Sequence, residues 1–195
     1  YWPICHFPPR TTNTFKNHAD LKSVCMVLVG ADSQMKIFTV GGTFLTAEEK
    51  AALEATAAAV ATSGKGITAC DESPGTIGGR FEAVGLENSE ENRRRYRQML
   101  FEAPGCENYL CAAILDPETL HQRSDNGKLF PAVLTEKGIV PGVKPHLKVY
   151  TLPGTNGDTV MQGLDSLAVR CKEYHAAGAR FAKWRSPFVI DMEKG

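Results

Sequence analysis

Lysine and aspartate side chains lie at or near the ends of short apolar segments in this 195-residue chain. The segment GITAC runs directly into Asp71, and the segment RFAKWR places Lys183 among apolar residues. A lysine that loses hydration on a buried strand face needs a compensating carboxylate, and Asp71 is the candidate. A lysine can form a Schiff base, polarise a carbonyl or bind a phosphate, and an aspartate can move a proton from a substrate hydroxyl. The pair therefore favours carbonyl chemistry, with a purely structural ion pair as the alternative.

Two more apolar segments end in charged residues. Asp116 follows YLCAAIL, and Lys144 follows IVPGV. Chemistry in parallel α/β folds lies at the C-terminal ends of the strands, so both positions are candidates. Asp116 precedes Pro117 and is interpreted as a helix N-cap or turn residue, which is the commonest task of an aspartate there. Lys144 has the alternative of a solvated strand end, and Asp71 has the alternative of an N-cap.

The segment after Asp71, DESPGTIGGRF, offers groups that suit a phosphate. Ser73 and Thr76 supply hydroxyls, Arg80 supplies a cation, and the glycines leave backbone N–H groups accessible. The segment does not end in the G-K-[ST] of a Walker motif. The signal is weak by itself because glycine-rich turns are common.

These residues can meet only if strands and helices alternate. Strands are predicted to begin near residues 67, 110, 139 and 180, with the last one carrying Trp184 against helices and Lys183 towards the interior. The segment TLPGTNGDTVMQG is predicted to be a long loop. This alternation predicts parallel βαβ units in one α/β domain.

Helix boundaries follow from local signals. Thr46 and Glu49 form a capping-box pattern ahead of an alanine-rich helix, for which Gly64 is the predicted C-terminal cap. A second helix is predicted from Ser89, and a short one from Pro131. Leu164, Leu167, Ala168, Cys171 and Tyr174 recur with helical period and predict the apolar face of an amphipathic helix.

Composition argues against several classes of function. Lysine plus arginine and aspartate plus glutamate both number 22, so neither a nucleic acid nor an anionic membrane is expected as the main partner. The six cysteines include no C-x-x-C pair and are interpreted as reduced thiols in an intracellular compartment, so secretion is not expected. The five histidines are not at metal-ligand spacing, so no metal is expected. The longest apolar stretch, residues 24–31, falls well short of the roughly 18 residues of a membrane span.

Residues 1–42 differ in character from the rest of the chain. They mix aromatic, proline and polar residues without a period, and they fit an organelle-targeting segment, a disordered extension or non-native sequence. The chain begins with Tyr1 and is therefore expected to be a mature, processed or partial chain. The folded domain is expected to cover residues 43–195.

Several segments together resemble one family. GKGITACDESPGTIGGRF resembles the first-strand motif of class I fructose-bisphosphate aldolases, and ENSEENRRRYRQMLF resembles the helix that follows it. GVK, GTNGDTVMQGLDSLAVRC and GARFAKWR are similar to later motifs of the family, in the same order. The resemblance covers residues 45–185. It implies the N-terminal half of a (β/α)₈ TIM barrel, preceded by an extension that the family does not share.

The family cleaves fructose 1,6-bisphosphate reversibly to two triose phosphates through a lysine Schiff base. By resemblance, Asp71 takes part in proton handling at the bond that breaks, and Lys183 assists the Schiff-base chemistry electrostatically. The pattern of residues alone would make Lys183 the nucleophile, but the Schiff-base lysine of the family comes from a later strand. The chain alone is thus expected to be poorly stable and inactive. The alternatives are a non-catalytic half-barrel that binds a partner and a zinc-dependent aldolase.

The resemblance extends to residues that bind the substrate. Ser73, Thr76 and Lys144 match positions where the family binds one sugar phosphate. Arg80, Arg93 and Arg185 match arginines associated with substrate binding or with the structure of the site. The resemblance implies a sugar-phosphate substrate, no cofactor, a homotetrameric parent protein and a cytoplasmic or plastid location.

The sequence also departs from the family pattern. Pro74 replaces a small polar residue, and Gly79 stands where a lysine is usual, which removes one cation. His146 follows Pro145 where Val-Asp is usual, so phosphate affinity and a third-strand carboxylate are both in question. Cys70, before Asp71, is a mild change from one small residue to another.

Overall fold

The structure is a computed structural model that describes residues 45–187. Residues 1–44 and 188–195 lie outside the described part, so the prediction of an extension over residues 1–42 is not addressed by it. In chain order the helices and strands are α1 (Ala47–Val60), β1 (Gly66–Cys70), α2 (Pro74–Glu82), α3 (Glu90–Phe101), β2 (Leu110–Leu115), α4 (Pro117–His121), α5 (Phe130–Glu136), β3 (Val140–Val143), β4 (Val149–Thr151), β5 (Thr159–Met161), α6 (Leu167–Ala176) and β6 (Phe181–Ala182).

The main sheet has four parallel strands in the order β1-β2-β3-β6. The predicted parallel βαβ arrangement is therefore confirmed. Its register aligns the last residues of the four strands, because Cys70 pairs with Leu115, Leu115 with Val143, and Val143 with Ala182. The strands thus end together, and the residues that follow them emerge from one edge of the sheet.

The core lies between β2, β3 and the helices that cover them. The rings of Phe101 in α3 and Phe130 in α5 pack edge to face, with their centroids 5.4 Å apart. Ala113 and Leu115 of β2 are fully buried against them. Burial of this apolar surface is the main favourable term for the fold. It fixes the middle of the sheet and so the positions of the strand ends.

The expected helix starts are present. Glu49 N–H donates to Thr46 Oγ1 at 3.1 Å, and Thr46 N–H donates to Glu49 Oε2 at 2.8 Å, which completes the capping box. Asn92 N–H donates to Ser89 Oγ at the start of α3. The C-terminal prediction for α1 is wrong, because the helix ends at Val60 and Gly64 lies in the following turn.

Two segments differ from the prediction. Part of TLPGTNGDTVMQG is not a loop, because Thr151 pairs with Thr159 in an antiparallel hairpin of β4 and β5. The last strand is shorter than expected. Lys183 N–H still donates to Val143 O, and the carbonyl of Pro145 accepts from Arg170. The chain leaves the sheet just after the pairs that define β6.

Helix α6 buries less of its predicted apolar face than the periodicity indicates. Cys171 and Tyr174 are buried, and Leu167 is half-buried. Leu164 lies ahead of the helix and is 66% exposed, and Ala168 is exposed as well. The helix thus contacts the core through its second half.

Gly142 of β3 allows close packing beside Lys183. It pairs with Phe181 of β6, and a Cβ added to Gly142 would overlap the Phe181 ring. We expect Gly142→Ala to lower the free energy of unfolding by about 1–3 kcal/mol through this overpacking, as measured by urea unfolding followed by circular dichroism. The matched control is Gly66→Ala in β1, whose added Cβ has its nearest neighbour 4.0 Å away. Equal midpoints for the two variants would contradict the prediction.

Candidate active site

Four charged residues form a row along the C-terminal edge of the main sheet. Each strand is followed by one of them: β1 by Asp71, β2 by Asp116, β3 by Lys144 and β6 by Lys183. The four positions are aligned because the last residues of the strands pair with one another. We call these four residues the charged row. It contains two carboxylates and two ammonium groups, so its formal charges balance.

The outer members of the charged row are in direct contact. Lys183 Nζ donates to Asp71 Oδ2 at 2.8 Å, so the carboxylate expected to compensate Lys183 lies beside it. The Asp71 side chain is 9% exposed and that of Lys183 is 37% exposed. The expectation of a buried lysine is therefore wrong, because Lys183 follows an outer strand of the described sheet. Its partial exposure leaves the ammonium accessible to a ligand.

The inner members of the charged row form a second ion pair. Lys144 Nζ lies 3.0 Å from Asp116 Oδ2 and also donates to the backbone carbonyl of Asp71. Both side chains are nearly buried, so Lys144 is not a solvated strand end. Asp116 also accepts a hydrogen bond from Glu118 N–H through Oδ1, which caps α4 as the sequence indicates. The contact with Lys144 was not foreseen.

The glycine-rich segment forms a helix rather than an open loop. Ser73 is the N-cap of α2 and accepts from Thr76 N–H, while the hydroxyls of Ser73 and Thr76 lie 3.1 Å apart. Pro74 occupies the first turn, where its missing N–H is not needed, so this departure from the family pattern suits the helix. The two hydroxyls and the start of the helix provide donors for an anion. At Gly79 an added Cβ would meet open space.

Glu72 links this helix start to α3. Its carboxylate accepts from Arg80 at 2.6 Å and from Arg97 at 2.9 Å, and Arg97 also donates to its backbone carbonyl. The Arg97 side chain is 3% exposed. Burial alone would raise the pKa of Glu72. Its backbone hydrogen bond and the two arginines outweigh burial, so the pKa lies below its ordinary value of 4.5.

Sequence interpretation missed both Glu72 and Arg97. A signal was available, because Arg93, Arg97 and Phe101 are spaced by four and share one face of α3 with the core. An arginine in line with a buried phenylalanine is a candidate for a buried ion pair. The Arg80 side chain, in contrast, is 53% exposed, although it also donates to Glu72.

The two remaining predicted residues are not members of the charged row. Arg93 donates two hydrogen bonds of 2.7 Å to the carboxylate of Glu118, and it also bonds Asn88. The bonds to Glu118 raise the pKa of Arg93. Arg185 lies two residues beyond Lys183 and is exposed. Arg93 thus supports the helix that Asp116 caps, and Arg185 faces solvent.

His146 and Trp184 lie together next to the charged row. Their rings are edge to face, with centroids 6.0 Å apart. Burial, reinforced by the nearby Lys144 ammonium, lowers the pKa of His146 below its ordinary value of 6.5 and favours the neutral imidazole. Trp184, which was expected to pack against helices, contacts this histidine. Position 146 therefore carries an imidazole whose neutral form is favoured, where the resemblance implies a carboxylate.

Across residues 45–187, His, Cys, Asp and Glu side chains form no cluster of three or more that could bind a metal ion. Within the same residues, no helix combines the length and apolarity that crossing a bilayer requires.

The family model described as fructose-bisphosphate aldolase class-I matches residues 52–195. The chain belongs to the class I fructose-bisphosphate aldolase family. Among curated relatives, it is 53% identical over 135 residues to cytosolic fructose-bisphosphate aldolase 5 of Arabidopsis thaliana, covering 69% of this chain and 38% of the relative. It is 52% identical over 140 residues to chloroplastic fructose-bisphosphate aldolase 1 of Chlamydomonas reinhardtii, covering 72% of this chain and 37% of the relative.

A solved aldolase has the same fold. The fructose-bisphosphate aldolase of Plasmodium falciparum, crystallised with TRAP and a small-molecule inhibitor, matches with a TM-score of 0.76 and 43% identity, over 82% of this chain and 46% of the aldolase chain. The predicted α/β fold, half of an aldolase barrel, is thereby confirmed. The chain spans about two fifths of the length of the curated aldolases it matches.

The Glu72–Arg97 pair predicts a pH-dependent contribution to stability. We expect Glu72→Gln to lower the free energy of unfolding at pH 7 by about 2 kcal/mol, because the buried Arg97 loses its carboxylate. The folded-state pKa of Glu72 is depressed, so its contribution is complete above pH 4.5 and is lost as pH falls through the lower folded-state value. The difference between the two proteins should therefore shrink in acid. Urea unfolding at several pH values measures it.

The control for this prediction is Glu136→Gln, which breaks an ion pair with Lys128 whose side chains are about half exposed. That change should cost less than about 1 kcal/mol at pH 7. If both glutamine variants lose the same stability, Glu72 does not stabilise the fold through Arg97.

Proposed function

We propose that the described residues form one half of an aldolase active site. The reaction is the reversible cleavage of fructose 1,6-bisphosphate to dihydroxyacetone phosphate and glyceraldehyde 3-phosphate through a lysine Schiff base. The observation that carries the proposal is the contact of Asp71 with Lys183 at the C-terminal strand edge. It occurs in a chain of the class I aldolase family, and this edge is where such folds do their chemistry.

The two outer members of the charged row divide the chemistry between them. Asp71 accepts the proton of the substrate hydroxyl as the carbon–carbon bond breaks, and it returns that proton in the condensation direction. Lys183 donates to Asp71 Oδ2, which keeps the carboxylate oriented, and its ammonium stabilises negative charge that develops on the substrate. In this proposal Lys183 does not form the Schiff base. That lysine belongs to the part of the barrel beyond these residues.

The phosphate groups of the sugar require donors and cations nearby. Ser73 and Thr76 supply hydroxyls at the first turn of α2, where backbone N–H groups also favour an anion. Lys144 supplies a cation at the charged row, and Arg80 supplies an exposed one. Arg93 contributes indirectly, because it supports α4 through Glu118. Arg185 is exposed and contacts the substrate from the solvent side. Because Gly79 replaces a lysine, phosphate affinity should be lower than in relatives that keep it.

A polypeptide of these 195 residues alone should be inactive. An aldolase barrel has eight strands, and the described part supplies four parallel ones. The outer strands β1 and β6 each pair on one side only, and unpaired parallel edges favour aggregation. We propose that activity requires the rest of the barrel and that the complete protein is a homotetramer. Its compartment is the cytosol or a plastid, since a cytosolic and a chloroplastic relative match this chain at 53% and 52% identity.

A chimera tests the proposal. Residues 52–187 of this chain replace the matching segment of cytosolic fructose-bisphosphate aldolase 5 of Arabidopsis thaliana, which supplies the remaining strands. We expect the chimera to cleave fructose 1,6-bisphosphate and the 195 residues alone not to. In the chimera, Asp71→Asn should lower kcat by about 10²- to 10⁴-fold because a group that moves a proton is lost. Lys128→Gln, a change at a distant exposed ion pair, should leave kcat unchanged.

Other outcomes would contradict the proposal. A chimera with native circular dichroism but no cleavage would favour the competing function, a non-catalytic half-barrel that binds a partner. Cleavage by the 195 residues alone would show that the second half is not needed. Trapping of a substrate imine on Lys183 with borohydride would overturn the role given to that lysine.

A further inference from the structure

Asp116 has more contacts than an N-cap requires. Its Oδ1 accepts from Glu118 N–H at 3.1 Å, and its Oδ2 lies 3.0 Å from Lys144 Nζ. The Asp116 side chain is 11% exposed. Both oxygens are engaged and little of the carboxylate meets solvent, so Asp116 is poorly placed to exchange a proton with a substrate. A carboxylate held in this way can instead orient the ammonium group that it contacts.

Lys144 is the group that Asp116 orients. A lysine side chain has four rotatable carbon bonds and loses considerable entropy when its ammonium is fixed in place. Here Nζ lies between Asp116 Oδ2 and the backbone carbonyl of Asp71, with 14% of the side chain exposed. The ammonium is therefore directed along the charged row towards β1. Without the carboxylate of Asp116, only the Asp71 carbonyl would remain to direct it.

Charge balance supports the same role. Lys144 and Lys183 both approach Asp71, one through its carbonyl and one through its carboxylate. A single carboxylate would leave two nearly adjacent ammonium groups with an uncompensated charge at a half-buried edge. Asp116 supplies the second negative charge. A helix cap alone does not need that charge, because asparagine and serine cap helices as well as aspartate does.

We propose that Asp116 is a positioning residue that holds the Lys144 ammonium at the β1 end of the charged row. Lys144 there meets the phosphate-bearing end of the substrate. The binding of this phosphate by Lys144 rests on the proposed function, whereas the positioning of Lys144 by Asp116 does not. Asp116 does not contact the substrate in this proposal and acts only through Lys144.

Pyridoxal phosphate, an aldehyde that carries a phosphate, probes the position of the lysine without requiring catalysis. The lysine nitrogen adds to the aldehyde carbon, water leaves to give an imine, and borohydride reduces the imine to a stable amine. The full chain is labelled for a series of times, reduced and digested. Mass spectrometry of the peptides then gives a labelling rate for Lys144 and for the exposed Lys128.

Asp116→Asn is the informative variant, because asparagine keeps the oxygen that caps α4 and loses the negative charge. We expect it to raise the labelling rate of Lys144 roughly three- to tenfold, since the amine no longer has to leave an ion pair of intermediate burial. The rate at Lys128 should not change, and the thermal midpoint should fall only by the loss of the ion pair with Lys144. Asp116→Ala should raise the labelling rate of Lys144 equally and lower the midpoint further, because the cap is lost as well.

Each other result counts against the inference. Equal Lys144 rates in the parent protein and Asp116→Asn would overturn it, as would a parent rate at Lys144 equal to that at Lys128. Equal loss of midpoint in the asparagine and alanine variants would show that Asp116 acts through the fold alone.

Competition by fructose 1,6-bisphosphate in the chimera and in its Asp116→Asn variant separates this inference from the proposed function, because the chimera contains the remaining strands. If Asp116→Asn raises Lys144 labelling but the sugar bisphosphate gives no protection, the positioning role stands and the proposed ligand is wrong. If the sugar protects Lys144 in both proteins but the Lys144 labelling rates without sugar are equal, the proposed ligand is supported and the positioning role of Asp116 is wrong.

Discussion

Asp71 and Lys183 follow the two outer strands of a four-stranded sheet, yet their charged atoms lie 2.8 Å apart. Neighbouring strands lie about 4.8 Å apart, so a flat sheet would separate these strands by roughly 14 Å. Twist and curvature of the sheet, together with two side chains that extend towards each other, close that gap. The contact therefore requires the strand ends to converge on one concave edge. Every other feature of the candidate site depends on that curvature, because it brings the β2 and β3 termini, with Asp116 and Lys144, into the same small volume.

The helices fix what surrounds this edge. Glu72 comes directly after Asp71, and its bonds to Arg80 and Arg97 tie the start of α2 to the buried face of α3. A change at Arg97 would thus move the hydroxyls of α2, although Arg97 lies on a different element. Positioning of this kind is part of how a site gains affinity, since donors that are already in place lose little entropy on binding.

The sequence predicts the structure best where a local pattern of residues is compatible with only one arrangement. Parallel strands with charged termini indicated the edge of the sheet, and so the contact of Asp71 with Lys183 was expected. The second ion pair was missed because N-capping already explains Asp116, and a local pattern does not show which residue approaches from the next strand. The sequence does not indicate the β4–β5 hairpin, because three-residue strands are too short for a periodic signal. The exposure of Lys183 depends on what lies beyond β6, which no local pattern encodes.

The order of the strands along the chain has a consequence for biosynthesis. Asp71 and Lys183 are 112 positions apart, and at about 5–20 residues per second a ribosome needs roughly 6–22 s to add the residues between them. During that time β1 and its carboxylate exist without the lysine, and the sheet offers strand edges to other nascent chains. The Asp71–Lys183 contact is among the most non-local in the described fold, and contacts of that kind slow folding. Its formation marks the end of assembly of this edge, but the outer sides of β1 and β6 stay unpaired, so chaperone protection is needed until further strands pair with them.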